Sequence, residues 1–389
     1  MKKKLIFVTE ALWIGGIETA LVNLLNAIDY DKYSVTVLII RGELDLKDRI
    51  NPNCNLIIAD RNRKYSFNKK YKFARLYHFT EECNNPSNIH KVFMWTIPII
   101  KYVENELYIK YIKEQMMNTD YDTAIIYSDR TAEIVCRAIK AEKYLMFYHN
   151  GIMDKAYHDE IGYKKSEKVI AVSEDKAELL RKFRAKYSDK IICIHNIVGI
   201  EDIIQNSQKK MDIEFRESDY NIVTCGRLVY PKAIDWAIEA CKLLVERGYK
   251  NIKWWVVGGG MDEEKLRLQI KEQFLENNFC LLGMKKNPYP YIANADLYVQ
   301  PSRYENYSVV ILEAMVLEKT ILATKSAGSQ QIKDGINGKI CEDNPYSIAE
   351  NIEMLINKPR ECRRYMCYLK EHTLKSENDT SINKLEKLF

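Results

Sequence analysis

The sequence has no CxxC pair, no Walker phosphate loop, no GxGxxG fingerprint and no apolar run approaching the ~18 residues of a membrane span. Each absence removes a class of function. Several of the ten cysteines sit inside apolar, strand-like runs such as IICIH and IVTCG. They read as reduced core residues, which argues against a disulfide framework and for a reducing, cytoplasmic compartment. The N-terminus, MKKKLIFVTEALW, is basic and then apolar, but Glu10 arrives too early for the apolar region of a secretory signal. VVGGGMDEEKL, residues 256–266, has Glu263 where the last glycine of a dinucleotide fingerprint would stand, so a dinucleotide or triphosphate site has little support. Of the six histidines, His149 and His158 lie too far apart for a metal pair, and no metal site is expected. No internal repeat or low-complexity tract is evident.

What is present is ordinary for a soluble globular protein: 389 residues, 47% hydrophobic and 29% charged. That length suggests two domains. The net charge of +5 is concentrated in the first half, much of it in RNRKYSFNKKYKFARLYHFT, residues 61–80. This stretch has seven Lys/Arg, no acid and six interleaved Tyr/Phe. Such a mixture suits an anionic membrane surface. A solvated face is the plain alternative, and nucleic acid is not the expected partner.

Along the chain, short apolar runs alternate with helical patterns. Strands are expected at 4–9, 34–40, 55–59, 123–128, 144–149, 168–173 and 190–195, then at 221–226, 253–258, 279–283, 296–300, 320–324 and 338–342. Most of these runs are continuous rather than alternating, which favours strands buried on both faces of a parallel sheet. Helical stretches between them, such as 174–187, 233–248 and 261–276, complete βαβ units. A polar segment at 196–219 without a clear period separates two complete series. The fold class is therefore α/β, with two Rossmann-like, doubly wound domains, and a cleft between them is the default site.

Four stretches carry candidate chemistry. Gly15 and Gly16 lie where the first strand gives way to a helix, a place that offers free N–H groups to an anion. In VTCGRLVYPKAIDWAI, Arg227 and Lys232 flank a strand-to-helix turn and suit a diphosphate, Arg as a planar fork and Lys as a point charge. His149 ends a strand in LMFYHNG, within reach of a ligand, or is a satisfied structural histidine. In SRYENYSVVILEAM, Glu305 lies in a loop, Ser308 is a fair N-cap, and a helix from about 309 to 317 places Glu313 just over one turn inside. Two carboxylates on either side of a helix start suit the hydroxyl donors of a sugar. A buried salt bridge to Lys or Arg is the alternative for Glu313.

Glu305 and Glu313 resemble the E-x7-E motif of retaining GT-B glycosyltransferases of family 4 (glycosyl transferases group 1). GRLVYPKAID resembles that family's GRL…K segment, and ALWIGGIETAL its N-terminal glycine loop. KVIAVSE, KIICIHN, VVGGG, LLGMKKNPYPYIANADLYVQPS and SAGSQQIKDGINGKI fall in matching order. The likeness spans nearly the whole chain, is strongest over 220–342 and is loose over 41–120.

The resemblance implies a GT-B fold facing a central cleft: an acceptor-binding domain over 1–196, a nucleotide-sugar domain over 197–373, and a last helix within 374–389 crossing back onto the first domain. It implies a retaining, metal-independent hexosyltransferase without a cofactor. The enzyme would move a sugar from a nucleotide sugar, UDP-sugar above all, to a glycan or lipid-linked saccharide in capsule or other cell-surface polysaccharide and glycoconjugate synthesis. It would work in the cytoplasm or at the inner face of the membrane, as a peripheral protein touching the bilayer through 61–80. His149, Arg227, Lys232 and Glu305 would be catalytic. Gly15, Gly16, Arg227, Lys232, Gly283, Met284, Glu305, Asn306, Tyr307, Ser308 and Glu313 would bind the donor: the cations the diphosphate, Glu313 the ribose, Glu305 the sugar, and Gly283 with Met284 the base. Asn306, Ala233 and Glu318 stand where glycines are usual, and Thr320 where Pro is usual, which bears on local backbone shape and donor choice. A catalytically silent partner or chaperone subunit is one alternative, and a sugar-nucleotide epimerase another.

Overall fold

A computed structural model of the chain describes residues 1–61, 97–149 and 160–389. Residues 62–80 of the basic aromatic stretch, and His158, lie outside these. The chain divides into two compact units, one of Met1–Ile194 with Leu385–Phe389, the other of His195–Lys384.

The first unit is built on β1 (Lys3–Thr9), β2 (Tyr33–Ile39), β3 (Asn55–Ile58), β4 (Tyr121–Ile126), β5 (Ala141–Tyr148), β6 (Lys168–Ala171) and β7 (Ile191–Cys193). They form one sheet in the order β3-β2-β1-β4-β5-β6-β7, and all its pairings are parallel. Leu5, Ile6, Phe7 and Val8 are consecutive and all fully buried. A sheet covered on both faces leaves no position for a polar residue to alternate with, and this accounts for the unbroken apolar runs. The last five residues of the chain belong to this unit. The Phe389 ring packs edge-on against Phe7 and Tyr33, with centroids 6.4 and 5.4 Å apart. Its carbonyl oxygen accepts hydrogen bonds from Lys3 Nζ at 3.1 Å and Thr123 Oγ1 at 3.5 Å.

The second unit holds β8 (Tyr220–Cys225), β9 (Ile252–Val257), β10 (Phe279–Leu281), β11 (Leu297–Gln300), β12 (Ile321–Thr324) and β13 (Lys339–Cys341). Their order is β10-β9-β8-β11-β12-β13, again parallel throughout. Fully buried Trp254 anchors β9 to β8, its indole N–H donating to Thr224 Oγ1 at 3.0 Å. The polar segment after β7 is more ordered than its composition suggests. It forms a helix, Ile200–Ser207, whose Ile203 is buried with Val198, while Met211, Ile213 and Phe215 pack against the same core. The helix Lys375–Glu386 begins in this unit, where the Asn378 amide exchanges hydrogen bonds with the backbone of Val198.

In each sheet the strand order reverses once, between β1 and β4 in the first unit and between β8 and β11 in the second. Outside the carboxyl ends of strands flanking such a reversal, the loops run in opposite directions and leave a crevice. In the second unit those loops are 226–233 and 301–308, which carry Arg227, Lys232 and Glu305.

Candidate functional site

Glycines shape the floor of the second unit's crevice. The loop after β8 is pressed against the loop after β9: a Cβ on Gly258, at φ +153°, would lie 1.8 Å from the Gly226 carbonyl oxygen, and one on Gly260 would lie 2.3 Å from that of Leu228. The Gly258 N–H donates to the Gly283 carbonyl at 2.9 Å, which ties in the loop after β10. The GGG run is therefore a packing device that lets three strand ends converge. Met284, more than half exposed, extends from the third of these loops.

On this floor Lys232 Nζ pairs with Glu305 Oε1, joining the two loops that flank the reversal. The same carboxylate oxygen accepts from Ser302 Oγ at 3.2 Å and Gln300 Nε2 at 3.3 Å. The expected diphosphate lysine and sugar-binding carboxylate thus neutralise each other. Arg227 is exposed and makes no ion pair among the described residues, so it is the open cation of the loop.

The helix after Glu305 runs Val309–Val316, with Ser308 as its N-cap residue. The Ser308 hydroxyl makes no capping bond. Instead Gln331 holds the cap backbone from both sides, accepting from the Ser308 N–H and donating to its carbonyl, each at 2.8 Å. Tyr307 stacks on His195, with centroids 4.9 Å apart and planes at 20°. The two rings line a cavity of about 430 Å³ within this unit, together with Tyr368 and His372. Glu313 is buried, and its Oε1 accepts from the Tyr289 hydroxyl at 3.3 Å. Its charge reaches the strand end: the Cys225 thiol is pushed well above its usual range, by burial first and by Glu313 second.

In the first unit, Gly15 is the N-cap of the helix Gly16–Ala27, and Gly16 is its exposed first residue. The space beside Gly15 is taken by the chain's own carboxylate. Glu18 is buried in the first turn, and a Cβ on Gly15 would lie 2.5 Å from Glu18 Oε2. A carboxylate there is favoured by the helix N-terminus. His149 follows β5 directly and stacks among Phe147, at 5.7 Å and 8°, and Tyr127, at 4.7 Å. Burial pushes its imidazole down to about 3, so it is neutral at physiological pH.

Sequence reasoning passed over Glu18, Tyr289, Gln331, Asp235 and Arg303. Arg303 stands inside the quoted SRYE stretch, but its partners lie about 70 positions earlier, and a lone arginine reads as a solvated cation.

Residues 205–372 match the family described as glycosyl transferases group 1. The chain is similar to an uncharacterized glycosyltransferase of Methanocaldococcus jannaschii, 24% identical over 264 residues that make up 63% of each chain. It is also similar to the N-acetylgalactosamine-N,N'-diacetylbacillosaminyl-diphospho-undecaprenol 4-alpha-N-acetylgalactosaminyltransferase of Campylobacter jejuni, 23% identical over 74% of this chain and 79% of that one. Against several curated relatives the chain spans less than two thirds of their length. Among solved structures, a TarM mutant of S. aureus in complex with Fondaparinux, alpha-GlcNAc-glycerol and UDP superposes with a TM-score of 0.74, covering 99% of both chains at 14% identity. The fold is that of the GT-B glycosyltransferases.

Proposed function

We propose, from the match of residues 205–372 to the family described as glycosyl transferases group 1, that the chain transfers a sugar from a nucleotide-sugar donor to a saccharide acceptor in polysaccharide or glycoconjugate synthesis. The observation that carries this reading is the pairing of Lys232 with Glu305 across the sheet reversal, beside exposed Arg227 and ahead of the free N–H groups of the helix Val309–Val316. When the bond to the donor sugar breaks, negative charge gathers on a leaving diphosphate. Preorganised cations and helix N–H groups stabilise that charge as it forms. Arg227 contributes a planar fork and Lys232 a point charge. Glu305, acceptor-only when ionised, takes hydrogen bonds from sugar hydroxyls. Glu313, once Tyr289 yields, does the same for the ribose. Gly283 and Met284 supply the surface for the base, and Asn306, Tyr307 and Ser308 the backbone around the sugar. Gly15, Gly16 and His149 belong to the first unit's share of the reaction, with His149 acting as a neutral imidazole.

UDP-sugar is the donor of choice in this reading, as the solved relative that holds UDP suggests. A lipid-linked saccharide is the acceptor, by analogy with the relative named for a diphospho-undecaprenol substrate. The transfer is a retaining one and uses no metal. Peripheral contact with anionic lipid through residues 61–80 fits this acceptor. No helix among the described residues is long and apolar enough to cross a membrane. Co-sedimentation with vesicles that does not depend on anionic lipid content contradicts that contact.

A panel of UDP-, GDP-, ADP- and dTDP-sugars, scored for binding and slow donor hydrolysis with and without chelator, tests the function. The reading expects one nucleotide class to bind and to hydrolyse at a chelator-insensitive rate. Binding of none of them points instead to a silent GT-B partner.

A further inference from the structure

Arg303 makes a dense set of contacts within the two crevice loops, and those described here are not to the groups expected to meet a ligand. Its Nη1 donates to Asp235 Oδ1 at 2.8 Å and to the Tyr230 carbonyl at 2.9 Å, and its Nη2 donates to Asp235 Oδ2 at 2.5 Å. The guanidinium lies between two rings, 4.3 Å from the Tyr230 centroid and 4.2 Å from that of Trp236. Its backbone N–H donates to the Pro231 carbonyl at 2.8 Å. The side chain is 10% exposed.

These contacts bracket one residue. Tyr230 and Pro231 precede Lys232; Asp235 and Trp236 follow it. Arg303 itself stands two residues before Glu305. The arginine therefore grips the β8 loop on both sides of Lys232 and fixes the start of the β11 loop in the same act. Between the gripped points the backbone passes through Ala233 in the left-handed region, at φ 52° and ψ 41°, a conformation that an L-residue holds only when its surroundings define it. The forked ion pair and the ring sandwich both need a planar guanidinium, and an ammonium reproduces neither.

We propose that Arg303, with Asp235, is a positioning residue that sets the distance and facing of Lys232 and Glu305, and so the fit of the crevice to a nucleoside diphosphate; this rests on the donor-site reading above. It acts through Lys232 and Glu305 without touching the donor.

The test uses the full chain as wild type, Arg303→Met, Arg303→Lys, Asp235→Ala and the Arg303→Met/Asp235→Ala double variant. Calorimetry measures affinity for UDP, GDP and ADP, hydrogen exchange follows 230–236 and 302–308, and chemical denaturation reports stability. Methionine keeps the side chain's length without the fork. The expected result is a loss of 10-fold or more in nucleotide affinity for Arg303→Met and for Asp235→Ala, with faster exchange in both loops. The double variant is no worse than either single one, because the two residues act as one clasp. Arg303→Lys stays close to Arg303→Met. A folded Arg303→Met that binds the nucleotide within twofold of wild type, whatever its stability, overturns the proposal, as does unchanged exchange in the two loops. If wild type itself binds none of the three nucleotides, the donor reading fails and the clasp's role falls with it.

Discussion

Lys232 and Glu305 each occupy the other in the free protein, so under the proposed function a diphosphate has to draw the ammonium away from the carboxylate. Removing only the carboxylate's charge separates binding from turnover. Glu305→Gln should raise UDP affinity by roughly 3- to 10-fold, since a partly buried pair of this kind is worth about 1 kcal/mol. It should lower sugar transfer by roughly 100-fold, the scale of losing one oriented charged group. Calorimetry and a transfer assay on the same protein check both; affinity that falls along with transfer counts against the pair as competitor. His149 makes a second residue-scale prediction. Its folded value of about 3 lies below the unfolded value near 6.5. Above pH 6.5 both states are neutral there. As pH falls from 6.5 towards 3 the unfolded state takes up a proton that the folded state does not, so stability declines over that window. His149→Phe, an aromatic for the stack with Phe147 and Tyr127, should flatten the decline. Thermal melts between pH 4 and pH 8 measure it, and an unchanged slope contradicts the neutral, desolvated imidazole.

At the scale of elements, the helix Val309–Val316 ends in a complete Schellman motif. The Glu318 N–H donates to the Met315 carbonyl and the Lys319 N–H to the Ala314 carbonyl, each at 3.0 Å. Glu318 holds the left-handed position at φ 53°. A Cβ there costs about 1 kcal/mol, which glycine avoids. Glu318→Gly should raise the unfolding midpoint of the second unit by about 2–4 °C in scanning calorimetry; a lower midpoint shows that the glutamate side chain contributes more than its backbone costs. The family resemblance flagged Ala233 and Glu318 as standing at usual glycine positions, and both have positive φ. All the expected strands exist, because runs such as Leu5–Val8 are buried on both faces and leave a continuous apolar signal. Their ends shift by a few residues, where polar strand termini look like loop. The helix Ile200–Ser207 escaped notice because it is short and buries one side chain, Ile203, too little to set a period. Glu313 was legible from its spacing to Glu305, yet it stands in the apolar run VVILEAM, where a carboxylate needs a partner. Tyr289, which supplies one, lies 24 residues away, on a helix that carries no local sign of it.

At the scale of the whole molecule, two parallel sheets with one reversal each account for where chemistry collects, and the quoted motifs lie at the strand ends this topology requires. The residues that brace the site, Arg303, Asp235 and Gln331, were not legible because their meaning depends on loops brought together by strand order rather than by sequence. Arg227 is the most direct probe of the account. It is exposed, makes no ion pair among the described residues, and so can be removed without disturbing the fold. The deciding measurement is calorimetric titration of UDP into wild type and Arg227→Ala under identical salt. The account predicts measurable binding to wild type and a loss of at least 10-fold in the variant, with the unfolding midpoint unchanged. Equal affinity for the two proteins would mean that the crevice between β8 and β11 is not the donor site.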